Sequence, residues 1–149
     1  MPLVYLDTCC LNRLFDDQRQ LRVRFETEAV RAVLQAVMAG DVRWLGSTAV
    51  DLEIGSNPNA EHRQRIAELA SLATQRVELS EADREQARTF ETAGLGAFDA
   101  LHLTAAERGG ADILLTTDDR FIQRAARLGG RLRVRVLNPT LWAAQELTT

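Results

Sequence analysis

Four carboxylates, Asp7, Glu53, Asp99 and Asp118, stand where an apolar run ends or a helical pattern runs. Asp7 directly follows "LVYL", and Asp118 lies two residues past "LLT". Asp99 opens the helical pattern Phe98–Arg108, and Glu53 lies early in the helical stretch after "WLGSTAV". Each acid alone has an ordinary structural use, as a helix cap or a turn residue. Brought together they would repel one another, and an all-oxygen donor set of this charge calls for a hard divalent cation, Mg²⁺ or Mn²⁺. Without that cation some of the acids should hold protons more tightly than usual. With it, the site suits phosphodiester hydrolysis, in which bound water is acidified and charge on the phosphoryl group is stabilised.

The elements that must position these acids are legible from patterning. Five short apolar runs predict strands: Leu3–Leu6, Val42–Gly46, Arg76–Leu79, Asp112–Thr116 and Leu132–Leu137. Helical patterns lie between them. Leu21–Ala39 places Val30, Val33, Leu34, Val37 and Met38 on one face and stops at Gly40. That stripe suits either the core or a second copy of the chain. Ser80 with Asp83 three residues on has the pattern of a capping box, and Gly94 closes that helix. Further helices are expected over Phe98–Arg108, Asp119–Leu128 and Thr140–Leu147, the last introduced by Pro139. Strands alternating with helices imply parallel pairing through right-handed crossovers. "LVYL" and "DILL" are apolar throughout, as central strands covered on both faces should be. The fold class is therefore α/β, a three-layer sandwich on a parallel sheet, with its site beyond the carboxyl ends of the strands. The length of 149 residues fits one domain, residues 1–149.

Charge distribution adds a second signal. The formal net charge is −3, yet all 18 basic residues are arginine. Arg120, Arg124, Arg127, Arg131, Arg133 and Arg135 fall within 16 residues, and after Asp119 the only acid is Glu146. Such a segment could hold a phosphate backbone, or could be solvated element faces. No apolar run approaches the ~20 residues that span a bilayer, and Asp7 interrupts the first one before it could serve as a signal segment. The expected location is the cytoplasm. Cys9 and Cys10 are adjacent and have no further cysteine to complete a zinc site, so they are expected to be packing residues. His62 is expected at the surface, and His102, one turn after Asp99, as a half-buried hydrogen-bonded side chain. Trp44 and Trp142 are expected in the core or an interface.

"YLDTCCLN", Glu53 in "STAVDLEI", and "FDALHLTAAERGGADILLTTDDRF" resemble the PIN domain family of metal-dependent ribonucleases, which includes the VapC toxins of bacterial toxin–antitoxin pairs. The resemblance implies a parallel five-stranded sheet between helices. It implies that Asp7, Asp99 and Asp118 bind the metal, and that Glu53 (with Asp51 as a neighbouring competitor) holds it or helps activate water. It further implies that the hydroxyls of Thr8 and Thr117 order carboxylates or water, and that Asp119 is a spare acid. Asn12 would touch the pocket, and Arg13, Arg120 and Arg124 would contact RNA phosphates. The implied partners are an RNA substrate, a small antitoxin and a second copy in a homodimer. Two other classes compete: a non-catalytic module that keeps the groove only for docking, and a phosphoryl-accepting receiver domain. The receiver requires paired early acids and a late lysine, and this chain has no lysine.

Overall fold

Leu3–Leu6 (β1) is buried along its whole length because it is the middle strand of five. In the computed structural model, which describes residues 1–147, β1 is flanked by Arg43–Ser47 (β2) and Ile113–Leu115 (β4). Gln75–Val77 (β3) and Arg135–Leu137 (β5) form the edges, giving the order β3-β2-β1-β4-β5 with every pair parallel. Tyr5 is in register with Leu45 on one side and Leu114 on the other. The apolar strands are central, and each edge strand carries an exposed arginine, Arg76 or Arg135, that discourages further pairing.

The helices are Thr8–Asn12 (α1), Leu21–Met38 (α2), Thr48–Gly55 (α3), Ala60–Ala70 (α4), Glu81–Thr92 (α5), Ala97–Arg108 (α6), Asp119–Leu128 (α7) and Pro139–Glu146 (α8). From β1 the chain moves outward through β2 to β3, then crosses back and moves outward the other way through β4 to β5. With right-handed crossovers the two directions place helices on opposite faces, and the reversal lies between β1 and β4. A crevice opens at such a reversal, beyond the carboxyl ends of the strands.

The expected α/β architecture with its parallel five-stranded sheet is the one observed, and the differences in boundaries have local causes. The fifth strand begins at Arg135 rather than Leu132, because the backbone N–H groups of Arg133 and Val134 donate to the Glu107 carboxylate instead of the ladder. Helix α4 is absent from the sequence expectation because only Ile66 of it is buried, which leaves little periodic signal; Asn59 caps it through His62 N–H at 3.0 Å. The capping box of Ser80 and Asp83 forms as predicted. Trp44, Trp142 and Cys10 lie in the core. The Cys10 thiol donates to Leu115 C=O at 3.3 Å, and burial pushes its pKa well up, which keeps it inert.

Glu26 on α2 is almost fully buried and accepts from Arg13 Nε at 2.8 Å, Arg22 Nε at 3.2 Å and Asn138 Nδ2 at 2.6 Å. This clasp joins the turn after α1, α2 and the cap of α8. Removing one partner of a buried pair costs about 3–5 kcal/mol when the other is stranded. Here Arg13 and Arg22 have partial access to water, so Glu26→Ala is expected to cost about 2–3 kcal/mol in thermal or denaturant unfolding.

Candidate active site

Asp7 ends β1, Asp118 follows β4, Asp99 lies in the first turn of α6, and Glu53 lies in the last turn of α3. Asp7 occupies the N-cap position of α1 but makes no capping bond, and its side chain turns inward, 4% exposed. Thr116 Oγ1 donates to Asp7 Oδ2 at 2.7 Å and accepts from Asp118 N–H at 3.1 Å, so one hydroxyl ties the two strand ends. Asp118 does cap α7: its Oδ1 accepts from Arg120 N–H at 2.9 Å and Phe121 N–H at 3.3 Å. Its Oδ2 makes no hydrogen bond among the described residues. Asp99 is half-buried and likewise makes none.

His102 lies behind the acids, fully buried rather than half-buried as expected. Its Nε2 is 2.8 Å from Glu53 Oε1 and 3.3 Å from Asp7 Oδ1, and its Nδ1 is 2.6 Å from Tyr5 Oη. Tyr5 Oη in turn is 2.7 Å from Ser47 Oγ. Burial by itself would lower the imidazole pKa, but the charges of Asp7, Glu53 and Asp99 and the bond to Glu53 raise it. For Glu53 burial raises the pKa, and the hydrogen bond and charge of His102, with Thr8, lower it on balance. Asp99 shows the field of the whole cluster. Desolvation first, then the charges of Asp7, Asp118 and Glu53, push its pKa up to about 7, with His102 opposing.

The structure sorts the remaining expected site residues. Glu53, not Asp51, faces the cluster; Asp51 is held outward by Arg76. The hydroxyl that meets Asp7 belongs to Thr116, not Thr117, whose N–H bonds Cys9 Sγ instead. Thr8 Oγ1 is buried without a hydrogen bond of standard geometry, though near enough to Glu53 to favour its charge. Asp119 is turned away by a two-pronged ion pair with Arg22, both distances 2.9 Å. Arg13 is taken up by Glu26 and Asp16 and is not free for a phosphate. Asn12, Thr8 and Glu53 line one cavity of about 310 Å³ with Asn57, Pro58 and Ile66. The guanidinium groups of Arg120, Arg124, Arg127, Arg131, Arg133 and Arg135 make no ion pair or hydrogen bond among the described residues. Sequence reasoning misses Tyr5, Ser47 and Thr116. A tyrosine inside a strand buried on both faces is the available signal, since a buried phenol needs a partner.

The donor set fits a hard divalent cation. Ligand atoms of Asp7, Glu53 and His102 lie within 4.8 Å of one another, and Asp99 and Asp118 are close enough that the charges of Asp7, Asp118 and Glu53 act on Asp99. A carboxylate driven to a pKa of about 7 by burial and its neighbours' charges is a feature that a cation would relieve.

A family model described as PIN domain matches residues 4–127. No curated protein matches the chain. Among solved structures, a chain of VapBC2 from Rickettsia felis, bound in its crystal to a DNA fragment from their promoter, has a TM-score of 0.56 at 15% identity. The alignment covers 90% of this chain and 98% of that one. At that identity the likeness concerns the fold.

Proposed function

This chain belongs to the PIN domain family, and we propose that it is a Mg²⁺- or Mn²⁺-dependent endoribonuclease, the toxin of a toxin–antitoxin pair. The carrying observation is the convergence of Asp7, Glu53, Asp99 and Asp118 at the sheet's switch point, with Asp99 driven to a pKa of about 7 by its neighbours. PIN domains are generally nucleases, and the fold neighbour comes from a VapBC2 assembly. Asp7, Asp99 and Asp118 would hold the cation, with Glu53 beside them. A bound cation supplies an acidified water and charge stabilisation at the scissile phosphate. The chain's own groups do the rest. Thr116 fixes the Asp7 carboxylate, and Glu53 would accept a proton from attacking water. The cavity beside Thr8 and Asn12 gives room for the sugar or base next to the scissile bond.

The unpaired arginines support a nucleic-acid substrate. Helix α7 starts at Asp119, just past Asp118, and Arg120, Arg124 and Arg127 run along it, away from the pocket. None of the three guanidinium groups is engaged by an acid among the described residues, so all three are available to phosphates. Replacing these three by Ala is expected to lower the slope of log K against log salt for single-stranded RNA by about 2, near 0.7 for each phosphate that is no longer neutralised. An unchanged slope would remove α7 from the RNA path. A small antitoxin is the partner this reading calls for, and exposed Leu21 and Phe25, which line a cavity of about 520 Å³ on α2, offer it apolar surface.

The direct test is cleavage of end-labelled single-stranded RNA by purified protein with Mn²⁺ or Mg²⁺. Cleavage that persists in EDTA would sink the cation-dependent reading. Calorimetry that detects no binding of Mn²⁺ at millimolar concentration would favour a docking module without catalysis.

A further inference from the structure

Behind the acids, Ser47, Tyr5 and His102 form a hydrogen-bonded file with no solvent access, drawn from β2, β1 and α6. Proximity alone would make His102 a cation ligand with Asp7 and Glu53. The hydrogen bonds say otherwise. Nε2 faces two carboxylate oxygens, at 2.8 Å and 3.3 Å, that can only accept. A bare nitrogen lone pair aimed at both would be repelled, so Nε2 carries a proton whether the ring is neutral or charged. In the neutral ring Nδ1 is then the acceptor, and Tyr5 Oη, 2.6 Å away, must be its donor. Tyr5 therefore accepts from Ser47, 2.7 Å away. Ser47 can give that proton because its oxygen already accepts from Val50 N–H at 3.2 Å. In the neutral ring every proton in the file points toward the acids, and in either state no lone pair of the imidazole is left for a metal.

We propose that Ser47, Tyr5 and His102 are a positioning relay that donates Nε2–H to Glu53 and Asp7, leaving Glu53 Oε2 and the second lone pairs of the Asp7 oxygens for the cation, and that His102 is not itself a ligand. The inference rests on the cation-dependent reading above. Ligation through Nε2 would need the proton to move to Nδ1, Tyr5 to turn from donor to acceptor, and Ser47 to give up its acceptor partner. The ring cannot swing clear, because it is fully buried with its edge against the Tyr5 ring, centroids 5.6 Å apart at 65°. Groups that hold ligands in place in this way commonly change metal affinity by about 10–100-fold when removed.

The test is ¹⁵N imidazole NMR of the intact protein during Mg²⁺ titration, joined to calorimetry on Tyr5→Phe and His102→Gln. The relay predicts that Nε2 keeps its directly bonded proton at Mg²⁺ saturation and that Nδ1 is then unprotonated. It predicts that Tyr5→Phe, folded by circular dichroism, binds Mg²⁺ about 10-fold more weakly and loses kcat more than RNA affinity. His102→Gln, whose amide can still donate to Glu53, should retain more Mg²⁺ affinity than His102→Ala. Loss of the Nε2 proton on Mg²⁺ binding, or Mg²⁺ affinity in Tyr5→Phe within twofold of the parent, overturns the relay while leaving the nuclease reading intact. Parent protein that binds neither Mg²⁺ nor Mn²⁺ overturns the nuclease reading. In that case the metal-free spectrum still decides the relay, since an unprotonated Nε2 there would end it.

Discussion

Asp7→Asn is expected to lower kcat/KM for RNA by about a thousandfold or more while the protein stays folded. Asp7 ends the central strand and is the most enclosed of the four acids, with no capping role to share its carboxylate. The amide keeps its shape, and the Thr116 hydroxyl can accept from it in place of donating. The substitution takes away one full negative charge at the focus of the pocket. Charge stabilisation at a phosphoryl group amounts to several kcal/mol, and each 1.36 kcal/mol is tenfold in rate. Single-turnover cleavage at saturating Mn²⁺, with the variant's unfolding curve beside it, checks this. A folded Asp7→Asn protein within tenfold of the parent would remove Asp7 from the machinery.

Asp99→Asn should have two effects of opposite sign: loss of cleavage and gain of metal-free stability. In the folded protein Asp99 titrates at about 7, raised from 3.8 by burial and by Asp7, Asp118 and Glu53. Between roughly those two values the folded state therefore holds a proton that the unfolded chain has released, and stability falls as pH rises. The penalty is absent below about pH 4 and complete above about pH 7. Removing the ionisable group should stabilise the EDTA-treated protein at pH 8 by about 1–2 kcal/mol, allowing for the water that reaches a half-buried side chain. For a chain of this size that is about 3–6 °C in Tm. At pH 4 the two proteins should melt together. A Tm difference that does not change between pH 4 and pH 8 would show that Asp99 does not feel its neighbours' charge.

The sheet is legible in the sequence because its central strands are apolar on both faces and its acids follow them directly. The bounds of β1 agree between sequence and structure, and Asp7 takes its place from them. The choice between Asp51 and Glu53 is not legible. Both stand on α3, and only tertiary partners, Arg76 for one and His102 for the other, turn them apart. The same holds for Asp119, claimed by Arg22 from 97 residues away, and for Arg13, claimed by Glu26. The full burial of His102 is hidden too. Its place one turn past Asp99 says nothing of Tyr5, which comes from a strand 97 residues earlier. Thr116 and Thr117 are indistinguishable in sequence. The end of β4 at Leu115 decides which hydroxyl reaches across to β1.

The strand order has a consequence for synthesis. β1 is made first but sits in the middle, and its partner β4 arrives 109 residues later, as the span from Asp7 to Thr116 shows. At about 5–20 residues per second a ribosome takes about 5–20 s to cover that interval. Through most of it Asp7 exists without Asp99 or Asp118, so the nascent chain carries no complete acid pocket. On the proposed reading, each molecule would pass a latent period of seconds on the ribosome before its acids meet, in which a partner could reach α2 ahead of any cleavage.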